Sequence, residues 1–267
     1  MTRPPHELLS LLSPTERVSF ELAELVNEHL QPAQAAWNRA FMGAMIWSAG
    51  GRRFHVEGLD RLASKGPSAR LLLVANHRSF FDFYVITAML FWRTNLSRRI
   101  LFPVRSSFFY DHPVGPLLNA AMSGMAMFPP ILRDRHRTSF NRWSIQRCVE
   151  ELEKPGTIMG LHPEGTRNKS DDPYSFLPAQ PGVGKVALET TAPVVPIFIH
   201  GLTNDLRDEW RRNWLQPAAA HPITLMFGPD IEFSDLRAQG SRAATQKRAA
   251  DRTLAAIRAL AEQHRSR

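Results

Sequence analysis

Cysteine is almost absent from this sequence, since its 267 residues contain only Cys148. A single thiol excludes an internal disulfide and a cysteine-rich metal site, which favours a reducing compartment. Long apolar runs are absent as well: the longest stretch without Asp, Glu, Lys or Arg, residues 112–132, contains four prolines. This stretch predicts a buried loop with a short helix rather than a transmembrane span. Without a candidate span, contact with a membrane is expected to be peripheral or monotopic. The amino terminus also lacks the apolar core of a signal peptide.

Acidic residues are outnumbered by basic ones. The chain has 33 Lys and Arg against 25 Asp and Glu, which gives a net charge of +8 and a pI of about 10.3. Such a protein attracts polyanions, and both nucleic acids and anionic lipid headgroups qualify. The arginines are dispersed, only three tyrosines are available for base stacking, and no helix-turn-helix, RNA-recognition or zinc pattern is present. We therefore expect an anionic lipid surface as partner and no nucleic acid.

The first predicted helix covers residues 14–30. Ser13 is placed to be its N-cap, Pro14 occupies the first helical position and Glu16 the third. This combination is the pattern of a capping box, which satisfies backbone N–H groups at a helix start. The hydrophobic residues that follow recur at helical spacing, so the helix is expected to be amphipathic.

A second predicted helix, residues 32–48, is rich in Trp and Met and is followed by Arg52 and Arg53. Aromatic residues beside basic ones are typical of a helix that lies in a membrane interface. An apolar helix packed on the rest of the protein has the same pattern, so both interpretations stay open. We predict a membrane-docking helical segment over 1–52 and a single structural unit over 53–267.

Short apolar runs alternate with helical patterns after the second helix. The predicted strands are 54–57, 71–75, 100–104, 157–161, 194–199 and 223–227, and the predicted helices are 82–93, 138–153, 182–191 and 242–265. This alternation predicts an α/β fold with a central, mostly parallel sheet flanked by helices. The last helix is basic with an apolar stripe, which is typical of a solvated helix packed on the domain; a membrane or RNA contact is the alternative.

Polar residues directly follow the strand 71–75, in the sequence Asn-His-Arg-Ser from Asn76, and Asp82 comes soon after. Chemistry in α/β proteins is concentrated just past the carboxyl ends of strands. Ser79 predicts a helix start as N-cap, which puts His77 in the preceding loop and Asp82 in the first turn. An imidazole held by a carboxylate on one nitrogen can take a proton from an alcohol on the other. The same residues also fit a simple helix cap.

A second polar segment, His-Pro-Glu-Gly-Thr-Arg over 162–167, follows the strand 157–161 in the same way. Gly165 allows a close backbone approach, Thr166 offers a hydroxyl and an amide, and Arg167 offers a planar fork for a phosphate. In a parallel sheet both polar segments lie on the same rim, which would bring a base close to an anion clamp. Alone, this segment could be a tight turn with a surface Arg–Glu pair.

The two segments, in this order and 85 residues apart, resemble the glycerolphosphate and lysophospholipid acyltransferase family. Asn76, His77 and Asp82 match its His-x4-Asp motif, residues 164–167 match its phosphate-binding motif, and residues 181–185 and 195–197 resemble two further blocks. The resemblance covers roughly residues 54–200. Two departures stand out: His162 occupies a position that is usually aromatic, and Arg133 and Arg135 lie later than the usual arginine of the second block.

The resemblance implies direct acyl transfer. His77 would deprotonate the acceptor hydroxyl, which attacks the thioester of acyl-CoA or acyl-carrier protein, while Asp82 orients the imidazole. Substrate binding would involve Glu164, Gly165, Thr166, Arg167 and, as a second cation, Arg133. Glu164 would orient Arg167 or accept a hydrogen bond from a glycerol hydroxyl. No metal or cofactor is expected besides the acyl donor.

The acceptor implied by the resemblance is a lysophospholipid or glycerol phosphate, with 1-acylglycerol 3-phosphate as the default, in phospholipid biosynthesis at the cytoplasmic face of the membrane. Another lyso-lipid or a glycolipid would also fit. A serine hydrolase using Ser79 is a competing hypothesis, but the Gly-x-Ser-x-Gly pattern of that class is absent. A non-catalytic lipid-binding relative is a third hypothesis, opposed by the presence of both reactive motifs.

Overall fold

The strands of the computed structural model, which describes residues 4–96, 99–132 and 134–267, are short and mostly buried. They are β1 (Phe54–Glu57), β2 (Leu71–Ala75), β3 (Arg99–Leu101), β4 (Val104–Arg105), β5 (Pro130–Ile131), β6 (Thr157–Leu161), β7 (Val194–His200) and β8 (Ile223–Phe227). Within the described residues, six of them form a sheet in the order β1-β8-β7-β2-β6-β3. Strands β7, β2, β6 and β3 are mutually parallel, whereas β8 runs antiparallel to β7 and β1 parallel to β8. The predicted mostly parallel sheet is confirmed.

The predicted strand 100–104 is wrong in one respect, because two strands of different sheets occupy this region. β3 ends at Leu101 and pairs with β6, whereas β4 begins at Val104 and pairs with β5 in a small separate sheet. Pro103 between them has no N–H to donate to a ladder, so it interrupts pairing. The N–H of Phe102 donates instead to the carbonyl of Ala126 at 2.9 Å.

Helices cover both faces of the central sheet. They are α1 (His6–Leu9), α2 (Pro14–His29), α3 (Gln31–Trp37), α4 (Gly43–Gly50), α5 (Asp60–Ala63), α6 (Asp82–Arg93), α7 (Gly115–Ser123), α8 (Thr138–Leu152), α9 (Pro181–Glu189), α10 (Leu206–Trp214), α11 (Ser234–Arg237) and α12 (Ala243–Arg265). A π-helical segment, Asn38–Met42, joins α3 to α4, and short 3₁₀ turns occupy Gly51–Arg53, Arg135–Arg137 and Ala218–Ala220. No helix in the described ranges has both the length and the apolar character needed to cross a bilayer.

The first long helix, α2, begins where its sequence predicts, whereas the second predicted helix, 32–48, is divided into α3, the π-helical segment and α4. Ser13 Oγ accepts a hydrogen bond from the N–H of Glu16 at 3.3 Å, and the Glu16 carboxylate accepts from the N–H of Ser13 at 2.9 Å, which completes the capping box. Further along α2, Asn27 Nδ2 donates to the Met125 carbonyl at 2.8 Å. The contact of Asn27 holds α2 on the loop that follows α7.

One basic residue after the second helix is not available to a membrane. Arg53 is fully buried, and its guanidinium donates to the carboxylate of Glu209 at 2.7 Å and to the carbonyl of His221 at 2.7 Å. A buried arginine needs such partners because an unpaired charge inside a protein is strongly unfavourable. Arg52 remains exposed, with its guanidinium carbon 5.8 Å from the centre of the Trp214 ring.

The carboxyl-terminal helix α12 packs on α9 and the sheet through its apolar stripe, of which Leu254, Ile257, Leu260 and Ala261 are buried. Gly184 of α9 allows the two helices to come very close, because a Cβ there would lie 1.8 Å from the carbonyl oxygen of Gln246. The interpretation of this helix as a packed element is therefore confirmed.

Candidate active site

The loop that carries His77 is anchored to the neighbouring strand. The side chain of Asn76, at the carboxyl end of β2, donates to the carbonyl of Ile199 in β7 at 2.9 Å and accepts from its N–H at 2.8 Å. His77 then turns its Nδ1 towards Asp82 Oδ2, at 3.1 Å. Asp82 is the first residue of α6 and is only 1% exposed. The predicted convergence of these two side chains is confirmed.

The helix start differs from the predicted one, because Phe81 and not Ser79 precedes the first residue of α6. Asp82 Oδ2 accepts the N–H groups of Arg78 and Ser79, each at 2.9 Å, and this shapes residues 78–81 into a turn before the helix begins. Ser79 Oγ accepts from the N–H of Phe81 at 3.1 Å and donates to the carbonyl of Thr203 at 2.5 Å. Its proton is held by a backbone carbonyl, which disfavours Ser79 as a nucleophile.

Burial controls protonation in the His77–Asp82 pair. It raises the pKa of Asp82 to about 6, although the carboxylate accepts backbone N–H groups that favour its charged form. It also lowers the pKa of His77 to about 3, and the positive charges of Arg167 and Arg105 lower it further. At neutral pH the pair is therefore a carboxylate beside a neutral imidazole. Because a carboxylate can only accept, Nδ1 carries the imidazole proton and Nε2 is the basic nitrogen.

Glu164 joins the two polar loops through backbone N–H groups. Its carboxylate is 2% exposed and accepts from the N–H of His77 at 3.0 Å and from that of Leu177 at 2.7 Å. Burial raises the pKa of Glu164, and the two backbone hydrogen bonds oppose this effect by lowering it. Both oxygens of Glu164 accept from the backbone, and the Arg167 guanidinium donates to Asn204. The two roles expected for Glu164, orienting Arg167 or binding a glycerol hydroxyl, therefore stay predictions. The N–H of Asn168 also donates to the carbonyl of His77 at 2.8 Å, so the loops are joined at both ends of His77.

Gly165 needs the conformational freedom of glycine. Its φ of +64° lies in the left-handed region, and a Cβ there would lie 2.8 Å from Cγ of Gln180. The turn also brings the N–H of Gly165 to the carbonyl of His162, at 3.0 Å. Gly165 and Thr166 are exposed at the tip of this turn, on the loop adjoining His77. Their backbone is therefore accessible to a substrate bound at the rim.

Arg167 is held by a third loop that the sequence did not implicate. Its Nη1 donates to Asn204 Oδ1 at 2.6 Å, in the segment after β7. The same oxygen accepts from the N–H of Phe80 at 2.9 Å, and Asn204 Nδ2 donates to the carbonyl of Arg78 at 3.3 Å. Asn204 thus fixes the guanidinium relative to the His77 loop. The sequence signal that could have indicated it is its position just past the carboxyl end of a parallel strand.

The second cation predicted for this site, Arg133, lies outside the described residues. A different arginine does lie near the base: the positive charge of Arg105, at the end of β4, lowers the pKa of His77. Arg105 is exposed, so its side chain is accessible to a substrate. Sequence reasoning missed it because the predicted strand 100–104 ended one residue earlier and did not separate β3 from β4.

A metal ion fits poorly among the imidazoles of this site, although ligand atoms of His77, Asp82 and His162 all lie within 4.8 Å of one another. The His77 and His162 rings stack with centroids 3.8 Å apart and planes only 7° apart. A metal bound by an imidazole nitrogen lies in the plane of that ring at about 2.0–2.1 Å. An ion in the plane of one ring would be well out of the plane of the other, so these side chains do not form a metal centre in this arrangement.

Residues 53–200 match a family model described as Acyltransferase. A 1-acyl-sn-glycerol-3-phosphate acyltransferase of Cocos nucifera is 31% identical over 102 residues, which is 38% of this chain and 30% of that protein. A Caenorhabditis elegans protein provisionally given the same name is 24% identical over 156 residues, which is 57% of this chain and 46% of that protein. The aligned segments therefore span less than half the length of either relative.

Proposed function

The chain belongs to the acyltransferase family, and we propose that it transfers a fatty acyl group from a thioester to the hydroxyl of a phosphate-bearing lyso-lipid. The observation that carries this proposal is the His77 imidazole, whose Nδ1 is held 3.1 Å from the buried Asp82 carboxylate. That contact leaves Nε2 as the base, and Arg167 and Arg105 lie close enough to affect its pKa. A base beside two cations suits an acceptor that carries both a hydroxyl and a phosphate.

The reaction follows from these positions. His77 Nε2 takes the proton of the acceptor hydroxyl, and the oxygen attacks the carbonyl carbon of the thioester. Asp82 stabilises the imidazolium that forms, and backbone N–H groups of loop 162–167 stabilise the negative charge on the carbonyl oxygen. The carbon–sulfur bond then breaks, and the imidazolium returns its proton to the departing thiolate. The products are the acylated lipid and the free thiol of CoA or carrier protein.

The acceptor we propose is 1-acylglycerol 3-phosphate, in phospholipid biosynthesis. Its free hydroxyl is on the carbon next to the one that bears the phosphate ester, so base and phosphate clamp must lie close together. Arg167 meets this requirement, because its loop adjoins the His77 loop and the two are tied by Glu164 and Asn168. The names of the two relatives support the same choice.

Replacing Arg167 with alanine is expected to raise the KM for the acceptor by about 10- to 100-fold, the range for losing a hydrogen bond to a charged group. The KM for the thioester should stay within about twofold. In Arg167→Lys the KM for the acceptor should lie between those of the wild type and the alanine variant, because lysine keeps the charge without the planar fork. Steady-state kinetics with each substrate varied in turn measures the effect, with the exposed Arg142→Ala on α8 as a matched control. A rise in the KM for the thioester alone would assign Arg167 to the donor.

We further propose that the second amino-terminal helical segment docks the protein on the cytoplasmic face of an anionic membrane. Large aromatic side chains of this segment face outwards: Trp37 is 40% exposed, Phe41 50% and Trp47 49%. Trp37 and Phe41 stack with ring centroids 4.6 Å apart, and Arg39 is exposed on the same segment. Aromatic rings beside a cation suit the boundary between lipid headgroups and acyl chains.

Changing Trp37, Phe41 and Trp47 together to serine is expected to weaken binding to vesicles containing anionic phospholipid by at least tenfold. Such a loss corresponds to about 1.4 kcal/mol, which is less than the burial of one aromatic side chain contributes. Co-sedimentation with vesicles measures it, and turnover of a short-chain, water-soluble acceptor is the control for folding. Unchanged vesicle binding with intact turnover would exclude this segment as the docking surface.

A further inference from the structure

His162 has no role in the mechanism above, yet its ring lies flat against that of the proposed base. The centroids of the His77 and His162 rings are 3.8 Å apart and their planes differ by 7°. His162 Nδ1 lies 2.9 Å from the carbonyl oxygen of Ala75, at the end of β2. Because a carbonyl can only accept, this nitrogen carries the proton of the neutral ring. One edge of His162 is thereby fixed to the central sheet.

A second ring also contacts His162. The ring of Phe83, on α6, lies with its centroid 4.2 Å from that of His162 and its plane tilted by 40°. Phe83 in turn rests on Gly160 of β6, where a Cβ would lie 2.3 Å from Phe83 Cε1. His162 therefore contacts the rings of both Phe83 and His77, which limits its freedom to tilt.

We propose that His162 is a positioning residue, whose flat ring fixes the plane of the His77 imidazole so that Nε2 faces the acceptor hydroxyl. The hydrogen bond to Asp82 fixes the position of Nδ1 but leaves the plane of the His77 ring adjustable through the side-chain torsions. A parallel ring against one face removes that freedom, since turning would drive the two rings into each other. The inference rests on the proposed function for the identity of the proton donor, but the geometry of the stack does not depend on it.

The charge of His162 agrees with this role. Burial lowers its pKa to about 3, and the nearby His77 lowers it further, so the ring stays neutral at working pH. A neutral aromatic face interacts favourably with a cation beside it. The imidazolium that His77 becomes during transfer is therefore tolerated, whereas a second positive charge at 3.8 Å would oppose its formation.

Two substitutions distinguish the contribution of the His162 ring from that of its hydrogen bond to Ala75. In His162→Phe the flat ring stays and the bond to the Ala75 carbonyl is lost. In His162→Asn the amide nitrogen can replace Nδ1 as donor to that carbonyl, but nothing stacks on His77. We expect the asparagine variant to lose about 10²-fold in kcat, a typical effect of slight misplacement, with both KM values unchanged. The phenylalanine variant should keep kcat within about fivefold, and His55→Ala, an exposed histidine of β1, is the matched control.

An NMR measurement, which needs no turnover, tests the geometry of the His77–His162 stack by itself. The Nδ1–H proton of His77, hydrogen-bonded to the Asp82 carboxylate, should give a sharp downfield NMR signal in the wild type and in His162→Phe. In His162→Asn we expect this signal to broaden or disappear through exchange with water. A wild type without acyl transfer but with this signal pattern would refute the proposed function and leave the positioning role standing. An asparagine variant with wild-type kcat and a sharp signal, or a folded phenylalanine variant as inactive as the asparagine variant, would overturn the positioning role.

Discussion

Replacing His77 with alanine is expected to lower kcat for acyl transfer by about 10³- to 10⁴-fold, since general-base catalysis contributes up to this amount. The protein should stay folded, because the contacts that join the loops here use the backbone of His77. Its N–H donates to Glu164 and its carbonyl accepts from Asn168, and alanine keeps both. Only the imidazole is removed, with its contact to Asp82 and its stack on His162. The residual rate would come from substrate positioning by the arginines.

Steady-state kinetics and a thermal melt measure this prediction together. His55→Ala is the appropriate control, because His55 is exposed on β1, away from the polar loops. A His77→Ala protein that has the melting temperature of the wild type and no acyl-transfer activity supports the assignment of His77 as the base. Retention of most of the wild-type turnover would show that another group takes the proton.

Replacing Asp82 with asparagine is expected to lower kcat at neutral pH by on the order of 10²-fold. In the structure a single oxygen, Oδ2, accepts from His77 Nδ1 and from the N–H groups of Arg78 and Ser79. The amide oxygen of asparagine can take that place, so the turn before α6 and the His77 tautomer are retained. What the variant loses is the negative charge that stabilises the imidazolium. The loss in rate therefore reports electrostatics rather than a broken loop.

The pH dependence of kcat distinguishes the charge of Asp82 from a role in helix capping alone. Since burial raises the pKa of Asp82 to about 6, the carboxylate takes up a proton as the pH falls through 6, and wild-type activity should fall with it. The asparagine variant lacks this transition, so the ratio of wild-type to variant kcat should shrink below pH 6. Profiles of kcat between pH 5 and 8 measure the ratio. A ratio that stays constant across this range would contradict the role of the carboxylate.

Stability should respond differently from activity. The folded-state pKa of Asp82, about 6, lies above the ordinary carboxyl value of 3.8, so the folded protein binds this proton more tightly than the unfolded chain. Folding is then favoured by protonation, and this contribution is lost as the pH rises from about 4 through 6. At pH 7 the buried charge opposes folding, and the neutral amide is not expected to lower the melting temperature. A large drop in stability would mean that capping is the main role of Asp82.

The elements with a strong hydrophobic pattern were predictable from sequence. Helix α6 begins and ends at the predicted residues, 82 and 93, and the buried strands β2 and β6 match at both ends. The missed elements have weaker patterns. Helix α10 was missed although Leu206, Trp210 and Trp214 recur at helical spacing, because its other residues are charged or polar and these three are themselves largely exposed.

The candidate site was predictable where its reactive residues follow the end of a strand and lie close together in the sequence. His77 and Asp82 meet because only six residues lie between the end of β2 and the start of α6, which leaves few alternatives. The partners of Glu164 and Arg167 could not be predicted, since they depend on how three loops fold over the rim. Arg105 was missed for the same reason: its closeness to His77 arises from the separate small sheet formed by β4 and β5.

The most direct test of the central claim is the mass of the product. The purified protein would be incubated with a fatty acyl thioester carrying a labelled chain, on CoA and on carrier protein, together with a panel of lyso-lipids. We predict one labelled diacyl phosphate ester, formed with 1-acylglycerol 3-phosphate and released with one free thiol per ester. Labelled free fatty acid as the only product, or no labelled lipid with any acceptor, would contradict the account.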